Sequence, residues 1–399
     1  MKIAAVETLR LAEFPNLIWV VIEDDQGRRG LGETFFGAAE VQTWVHETAA
    51  PQLLGMPSRA IEAIRLKLRP YVGHQSPGAE IRGRSAIDIA LWDLLGQQTG
   101  LPICDLLGGR VRDSIRTYNT CAGYQYVRAT AGQHSTNWGL PGEAAAGPYE
   151  DLQGFLTDAG AVAESLLSQG ITAMKIWPFD RYAEQSQGYH ISAAQLDEGS
   201  EPFRQIRAAV GEQMQIMLEC HSLWSASAAR DIAHAMKPFN LYWIEDPIKA
   251  NGFAALAQLR RQIDIKVTAS ETIATREQFA DLIQSAGTDI VMLDLGWCGG
   301  ITEAKAVAGI AEANHLPIAP HDCTGPVVWT ASCHLSMNAP NALIQESVRA
   351  FYTGWYRELV DQLPAVRMGE ISLPEGPGLG VSLKPELRTR ADASHQISA

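Results

Sequence analysis

From about residue 114 onward the chain repeats one pattern, in which a short β-like apolar run leads through a turn into a helix-compatible stretch. The clearest runs are IMLEC, LYWIEDP and VTASET, the first two followed by ASAARDIAHAMK and AALAQLRRQ. Glu219, Glu245 and Glu271 stand at the ends of these runs, with 26 residues in each interval. One strand, one turn and one helix fill such an interval. The repeat therefore predicts successive βα units of a parallel barrel, whose strand C-termini all face one mouth. The rhythm continues on both sides. ITAMKIWPF carries Lys175 inside a strand, while DIVMLDLGWCGGIT, LPIAPHDCTGP and ALIQES bring Asp294, His321 and Glu346 to strand ends.

The first hundred residues are patterned differently. IAAVETLRL and LIWVVIEDDQGRRGLGET alternate as strands, with DQGRRG as a hairpin turn. Helical stretches follow over about 41–54 and 59–68. Ala86, Ile87, Ala90, Leu91 and Leu94 then mark a helix that Gly100 and Pro102 stop. Asp88 and Asp93 on this helix read as structural or surface acids. Strands first and helices after make an α+β unit. Inside the barrel two long connections are predicted, about 124–149 and 180–198, with helices at about 155–169 and from Pro202 to Val210. His134, Asn137 and Trp138 in the first connection are candidate substrate contacts.

Composition narrows the chemistry. A chain of 399 residues, 46% of them apolar, suits a barrel plus a second unit. A net charge of −13 disfavours nucleic acid and anionic membranes as partners. The six cysteines lack CxxC spacing, which argues against zinc and a disulfide framework and fits a reducing, cytoplasmic compartment. MKIAAVETLRLAEF alternates and carries charges, so it reads as a strand and not as a leader. No stretch of about 18 apolar residues marks a membrane span.

Three unpaired carboxylates converging on one mouth would repel each other, and a hard divalent cation such as Mg²⁺ resolves that conflict with oxygen ligands. Glu219, Glu245 and Glu271 are the candidate ligands. The glycine-rich GWCGGIT turn permits close backbone approach, but no GxxxxGK[ST] pattern makes it a phosphate cradle.

GRSAIDIALWDLLGQQTGLPICDLLGG, WIEDP, ASET, D-x4-GGIT and the spacing from Asp294 to His321 together resemble the mandelate racemase group of the enolase superfamily, over nearly the full chain. The resemblance implies an α/β fold, a modified TIM barrel of (β/α)₇β form under an α+β capping domain. On that reading residues 1–113 form the N-terminal part of the cap, 114–364 the catalytic barrel, and 365–399 a segment completing the cap. It also implies Mg²⁺ on the three glutamates, Asp294 and His321 as a hydrogen-bonded dyad, Glu346 near the substrate carboxylate, and a homo-oligomer. The pairing of a Lys or His base with Mg²⁺ is a general example for enolase-superfamily sites.

Two departures sort the chain within that group. Many members carry K-x-K at the second strand, whereas here Trp177 follows Lys175 and Ile176. His221 stands two residues beyond Glu219, and strand alternation would turn both to one side. This Glu-x-His resembles the Asp-x-His of sugar-acid dehydratases of the galactonate and mannonate dehydratase kind, with a ligand arm one methylene longer. The expected reaction on a small-molecule aldonate or aldarate is α-proton removal by His321, then loss of water assisted by His221, giving a 2-keto-3-deoxy acid. Lys175 and Mg²⁺ would stabilise the enediolate between the two steps. The same residues also fit a racemase, epimerase or cycloisomerase, in which the two histidines act on opposite faces. A non-catalytic sugar-acid binder is a third class. Loops 13–16 and 34–37 are expected to read the stereochemistry of the sugar.

Overall fold

The computed structural model describes residues 1–73, 77–126, 128, 131–132, 147 and 149–399. His134, Asn137 and Trp138 lie outside the described residues. Strands β1 (Ile3–Leu11), β2 (Leu17–Asp24) and β3 (Arg29–Phe35) form an antiparallel sheet, which the C-terminal strand Ala393–Ser398 extends by pairing with β1. Alternation along β2 divides its side chains between two cores. Ile18, Val20 and Ile22 pack with the cap helices, while Leu17, Trp19 and Val21 join the core shared with the barrel. The helix Ala79–Thr99 crosses β3 at Gly30 and Gly32, and a Cβ at Gly32 would collide with the Ala86 carbonyl.

Because this helix lies between sheet and barrel, it is apolar on several faces, and its two aspartates are buried hydrogen-bond acceptors. Asp88 accepts from the backbone N–H (2.9 Å) and hydroxyl (2.6 Å) of Thr302. Asp93 accepts from the N–H groups of Leu31 (2.7 Å) and Leu379 (2.8 Å), which ties residues 370–383 back onto the cap. Their structural reading holds, with burial in place of surface exposure.

The barrel runs through β4 (Ile115–Thr120), β5 (Ala173–Ile176), β6 (Gln215–Glu219), β7 (Trp243–Glu245), β8 (Val267–Ala269), β9 (Ile290–Leu293), β10 (Ile318–Pro320) and β11 (Gln345–Ser347). All neighbours are parallel, and β11 returns to pair with β4. A helix stands in each of the seven intervals, giving the (β/α)₇β order. The hairpin Ala365–Arg367 and Glu370–Ser372 adds antiparallel to β4. Among the described residues no helix is long and apolar enough to cross a membrane, and the six cysteines are free and buried.

Two expectations change here. The connection predicted over 180–198 holds a helix, Asp180–Ser186, and half of the rest belongs to the next helix, Ala193–Val210. That helix starts at a capping box of Ser192 and Gln195, and Pro202 lies within it instead of opening it. The pattern around Pro202 resembled a start because proline is also favoured in a first turn.

Candidate active site

Parallel strands in register stack their inward side chains in layers, and the layers set the site. Ala173, Met217, Trp243, Met292, Ala319 and Ile344 fill the barrel as one buried apolar layer. Two residues further along the same strands stand Lys175, Glu219, Glu245, Asp294, His321 and Glu346, one layer nearer the mouth. Glu219 and Glu245 are direct partners in the β6–β7 ladder. The first 26-residue interval thus corresponds to one strand step at constant height, whereas Glu245 pairs with Thr268 and Glu271 lies in the turn beyond the end of β8.

Glu219, Glu245 and Glu271 offer carboxylate oxygens that all lie within 4.8 Å of one another. Glu219 and Glu245 are buried, and the Glu271 side chain is 12% exposed. Lys175 Nζ reaches Glu245 at 2.5 Å, Glu346 at 3.0 Å and Glu219 at 3.2 Å. Burial would lower this ammonium, but the surrounding carboxylates outweigh it and hold it well above its ordinary value. Glu219 falls to about 2, because Lys175 and His221 overcome the upward push of burial. Burial and the neighbouring Glu219 instead drive Glu245 up. The remaining lone pairs are directed by fixed donors: Glu219 accepts from the N–H groups of Cys220 and His221, and Glu245 from the Trp243 indole (2.8 Å). Three oxygen donors of this hardness and spacing fit a hard divalent cation.

Two histidine–aspartate pairs flank the carboxylates. His321 Nδ1 lies 2.7 Å from Asp294 Oδ2, and its Nε2 lies 3.3 Å from Glu271. Burial lowers His321, yet Glu271, Glu346 and Asp294 together push it up to about 10. His221 Nδ1 lies 2.5 Å from Asp180 Oδ2, and its Nε2 lies 3.3 Å from the Tyr126 hydroxyl. Burial again opposes, and Asp180 and then Glu219 raise this imidazole to about 9. Asp180 is itself raised to about 6 by burial, against the pull of His221.

His221 reaches the site by a different route from the expected one. β6 ends at Glu219, and His221 lies in a turn with φ of 45°, so strand alternation does not orient it. Its direction comes from this left-handed backbone, from Asp180 and from the Trp177 ring, 5.7 Å away edge-on. Trp177, at the place of the missing second lysine, is a buried wall residue against Tyr126 and Phe155.

A cavity of about 940 Å³ opens above these groups, lined among others by Lys175, Glu219, His221, Glu271, His321 and Glu346. Phe36 from the cap lines it as well, and Trp297 locks that loop down by donating to the Phe35 carbonyl (3.1 Å). Among the described residues none from 13–16 lines the cavity. Glu13 instead pairs with Arg128 and Arg390, and Asn16 accepts from Gly132. Asp180, Thr120, Tyr126 and Arg82 belong to the site and escaped the sequence reading. Thr120 donates to Glu346, but Asp180 and Tyr126 fall in stretches read as loop. Only Arg82 carried a local signal: it is a cation in the first turn of a helix, where the dipole disfavours one.

Family models cover most of the chain. The mandelate racemase / muconate lactonizing enzyme N-terminal domain matches residues 4–108, and the enolase C-terminal domain-like model matches 158–387. The D-galactonate dehydratase of Ralstonia nicotianae is 30% identical, across 97% of this chain and 93% of that protein. The D-xylonate dehydratase of Haloferax volcanii is 25% identical across 92% and 84%. A crystal structure of an enolase of the mandelate racemase subgroup from Agrobacterium tumefaciens superposes with a TM-score of 0.88 at 46% identity, covering 100% of this chain and 99% of that one.

Proposed function

Because the chain belongs to the mandelate racemase/muconate lactonizing enzyme family of the enolase superfamily, we propose that it is a Mg²⁺-dependent dehydratase of a sugar acid. The observation that carries this reading is the second histidine–aspartate pair, Asp180 with His221, on the same cavity as the pair Asp294 with His321. Elimination needs a base for the α-proton and an acid for the departing hydroxyl. Two separately supported imidazoles supply one of each.

Glu219, Glu245 and Glu271 would hold the cation, which supplies electrostatic stabilisation of the charge that develops on the substrate carboxylate. Lys175, beside Glu346 and the triad, adds a fixed positive charge at the same end. Asp294 holds Nδ1 of His321, and a cation on the triad would offset Glu271, the carboxylate that raises this imidazole most, so that the cavity-side Nε2 would be free to take the α-proton. The C–H electrons first delocalise onto the substrate carboxylate as an enediolate beside Lys175, and then return to form the Cα–Cβ double bond as the β C–O bond breaks. The proton carried by His221 leaves with the hydroxyl as water, and the resulting enol tautomerises to the 2-keto-3-deoxy acid. Asp180 keeps His221 protonated and aimed for that step.

The relatives named as dehydratases support elimination over simple proton return. The test is His221→Ala, assayed for keto-acid formation and for α-proton exchange with D₂O across a panel of aldonates and aldarates. Dehydration should fall by roughly 10²–10⁴-fold while exchange survives. Wild-type exchange without any keto product would identify a racemase or epimerase and sink the dehydratase reading.

A further inference from the structure

Among the described residues the reaction above leaves two cavity cations unused, the exposed Lys249 and Arg82. Arg82 lies in the first turn of the helix Ala79–Thr99 and lines the cavity with Phe36, Ile81 and Trp297. Its guanidinium stacks on two aromatic faces, 5.8 Å from the Phe36 centroid and 5.5 Å from that of Trp297. Trp297 in turn lies 5.5 Å from the His321 ring, so one indole separates Arg82 from the dyad. Thr34 donates to the Gly296 carbonyl (2.6 Å) and Trp297 to the Phe35 carbonyl, which makes this wall a rigid seam between cap and barrel.

Among the described residues no carboxylate forms an ion pair with Arg82, and its buried Nε has no hydrogen-bond partner. Asp294 attracts it from a distance, but that carboxylate is already committed to His321 and to the Gly296 N–H. A desolvated cation without a counter-ion is costly. Stacking occupies the faces of a guanidinium and leaves its edge of N–H donors free, a shape that matches a carboxylate with two parallel hydrogen bonds. The helix terminus beside it has Gly78 at the N-cap and no side-chain cap, so its free N–H groups favour a negative charge at the same place.

We propose that Arg82 binds a second carboxylate at the far end of the substrate, so that the sugar acid taken by this site is a diacid, an aldarate. The inference rests on the dehydratase reading for the near end of the substrate. A diacid substrate would differ from those in the names of the two dehydratases above, D-galactonate and D-xylonate, which are monoacids.

The test reads binding apart from turnover. The full chain with Mg²⁺ is titrated calorimetrically with adipate and with 6-hydroxyhexanoate, six-carbon acids that differ only at the far end and have no β-hydroxyl to lose. Adipate should bind the more tightly. Arg82→Leu should weaken adipate on the order of 10- to 100-fold, the size of a lost charge-assisted contact, and leave the hydroxy acid nearly unchanged. Arg82→Lys should recover part of the loss, since it restores the charge without the fork. In turnover, the Arg82→Leu loss in kcat/KM should be confined to aldarates and spare aldonates of the same configuration. Equal wild-type affinity for the two probes, or equal loss of both in Arg82→Leu, overturns the inference and leaves Arg82 a packing residue. Tighter binding of an aldonate 6-phosphate than of the matching aldarate overturns the carboxylate assignment in favour of a phosphate. Discrimination between the probes without any dehydration supports the diacid site and overturns the dehydratase reading instead.

Discussion

Asp180→Asn preserves the size of the side chain and a contact with His221 while removing its charge. His221 stands at about 9 because Asp180, and after it Glu219, outweigh the burial that would depress it. A cation among the carboxylates offsets the share of Glu219 but not that of Asp180, which lies outside the triad. Without Asp180 the imidazole falls toward its ordinary value of about 6.5 or below, so only roughly a tenth of the molecules carry the proton at about pH 7.5. Protonation alone then costs roughly tenfold in dehydration, and a freely turning ring brings the loss toward the roughly 10²–10⁴-fold that general acid help is worth. The assay is the pH profile of kcat for keto-acid formation, run beside α-proton exchange in D₂O. An acid must be protonated to act, so activity falls as pH rises through its pKa. The alkaline limb should therefore move down from its wild-type position toward about 6.5 in the variant, with exchange retained. An alkaline limb that stays in place, or exchange that falls in step with dehydration, would refute the assignment of His221 as acid and Asp180 as its support.

Glu245→Gln removes a buried negative oxygen from the triad and should weaken Mg²⁺ by at least about tenfold; unchanged affinity by calorimetric titration counts against the ligand set. His321→Asn should abolish α-proton exchange by roughly 10²-fold or more while circular dichroism and Mg²⁺ affinity stay as in the wild type, and exchange at the wild-type rate would point to another base. Glu33 ties the cap to the barrel by accepting from the N–H groups of Val327 and Val328 and from the Trp19 indole, and burial raises it to about 8. A raised carboxyl keeps its proton in the folded protein after the unfolded chain has lost it. Its contribution to stability is therefore present below about 4.5 and lost as pH rises to about 8. Glu33→Gln should remove that slope, so its denaturation midpoint gains on the wild type's between about pH 5 and 8 by up to a few kcal/mol; parallel curves would contradict it.

The barrel and its main carboxylates were legible because two short-range rules carry them. A parallel strand stacks residues at period two, and one βα unit has a nearly constant length. Apolar runs closing on Glu219, Glu245 and Glu271 at equal intervals therefore pointed to three carboxylates at one mouth; the ladder sets Glu219 level with Glu245, whereas Glu245 pairs with Thr268 and Glu271 joins them from the turn beyond β8. The same rules brought Lys175, Asp294, His321 and Glu346 to the mouth. What they could not carry is anything set by contacts between distant segments. Asp180 meets His221 across 41 residues of chain, from the start of a helix that was itself read as loop. His221 was placed by alternation but is aimed by a left-handed turn that periodicity does not register. Arg82 is about 200 residues from Trp297 in the chain, and that it has no ion pair among the described residues becomes visible only when cap and barrel close around it. Local pattern determined the scaffold and the charges it holds up. Tertiary packing decided which of those charges are paired, which are raised or lowered by burial, and which one is left to meet a ligand, because desolvation and ion pairing act through space and not along the chain.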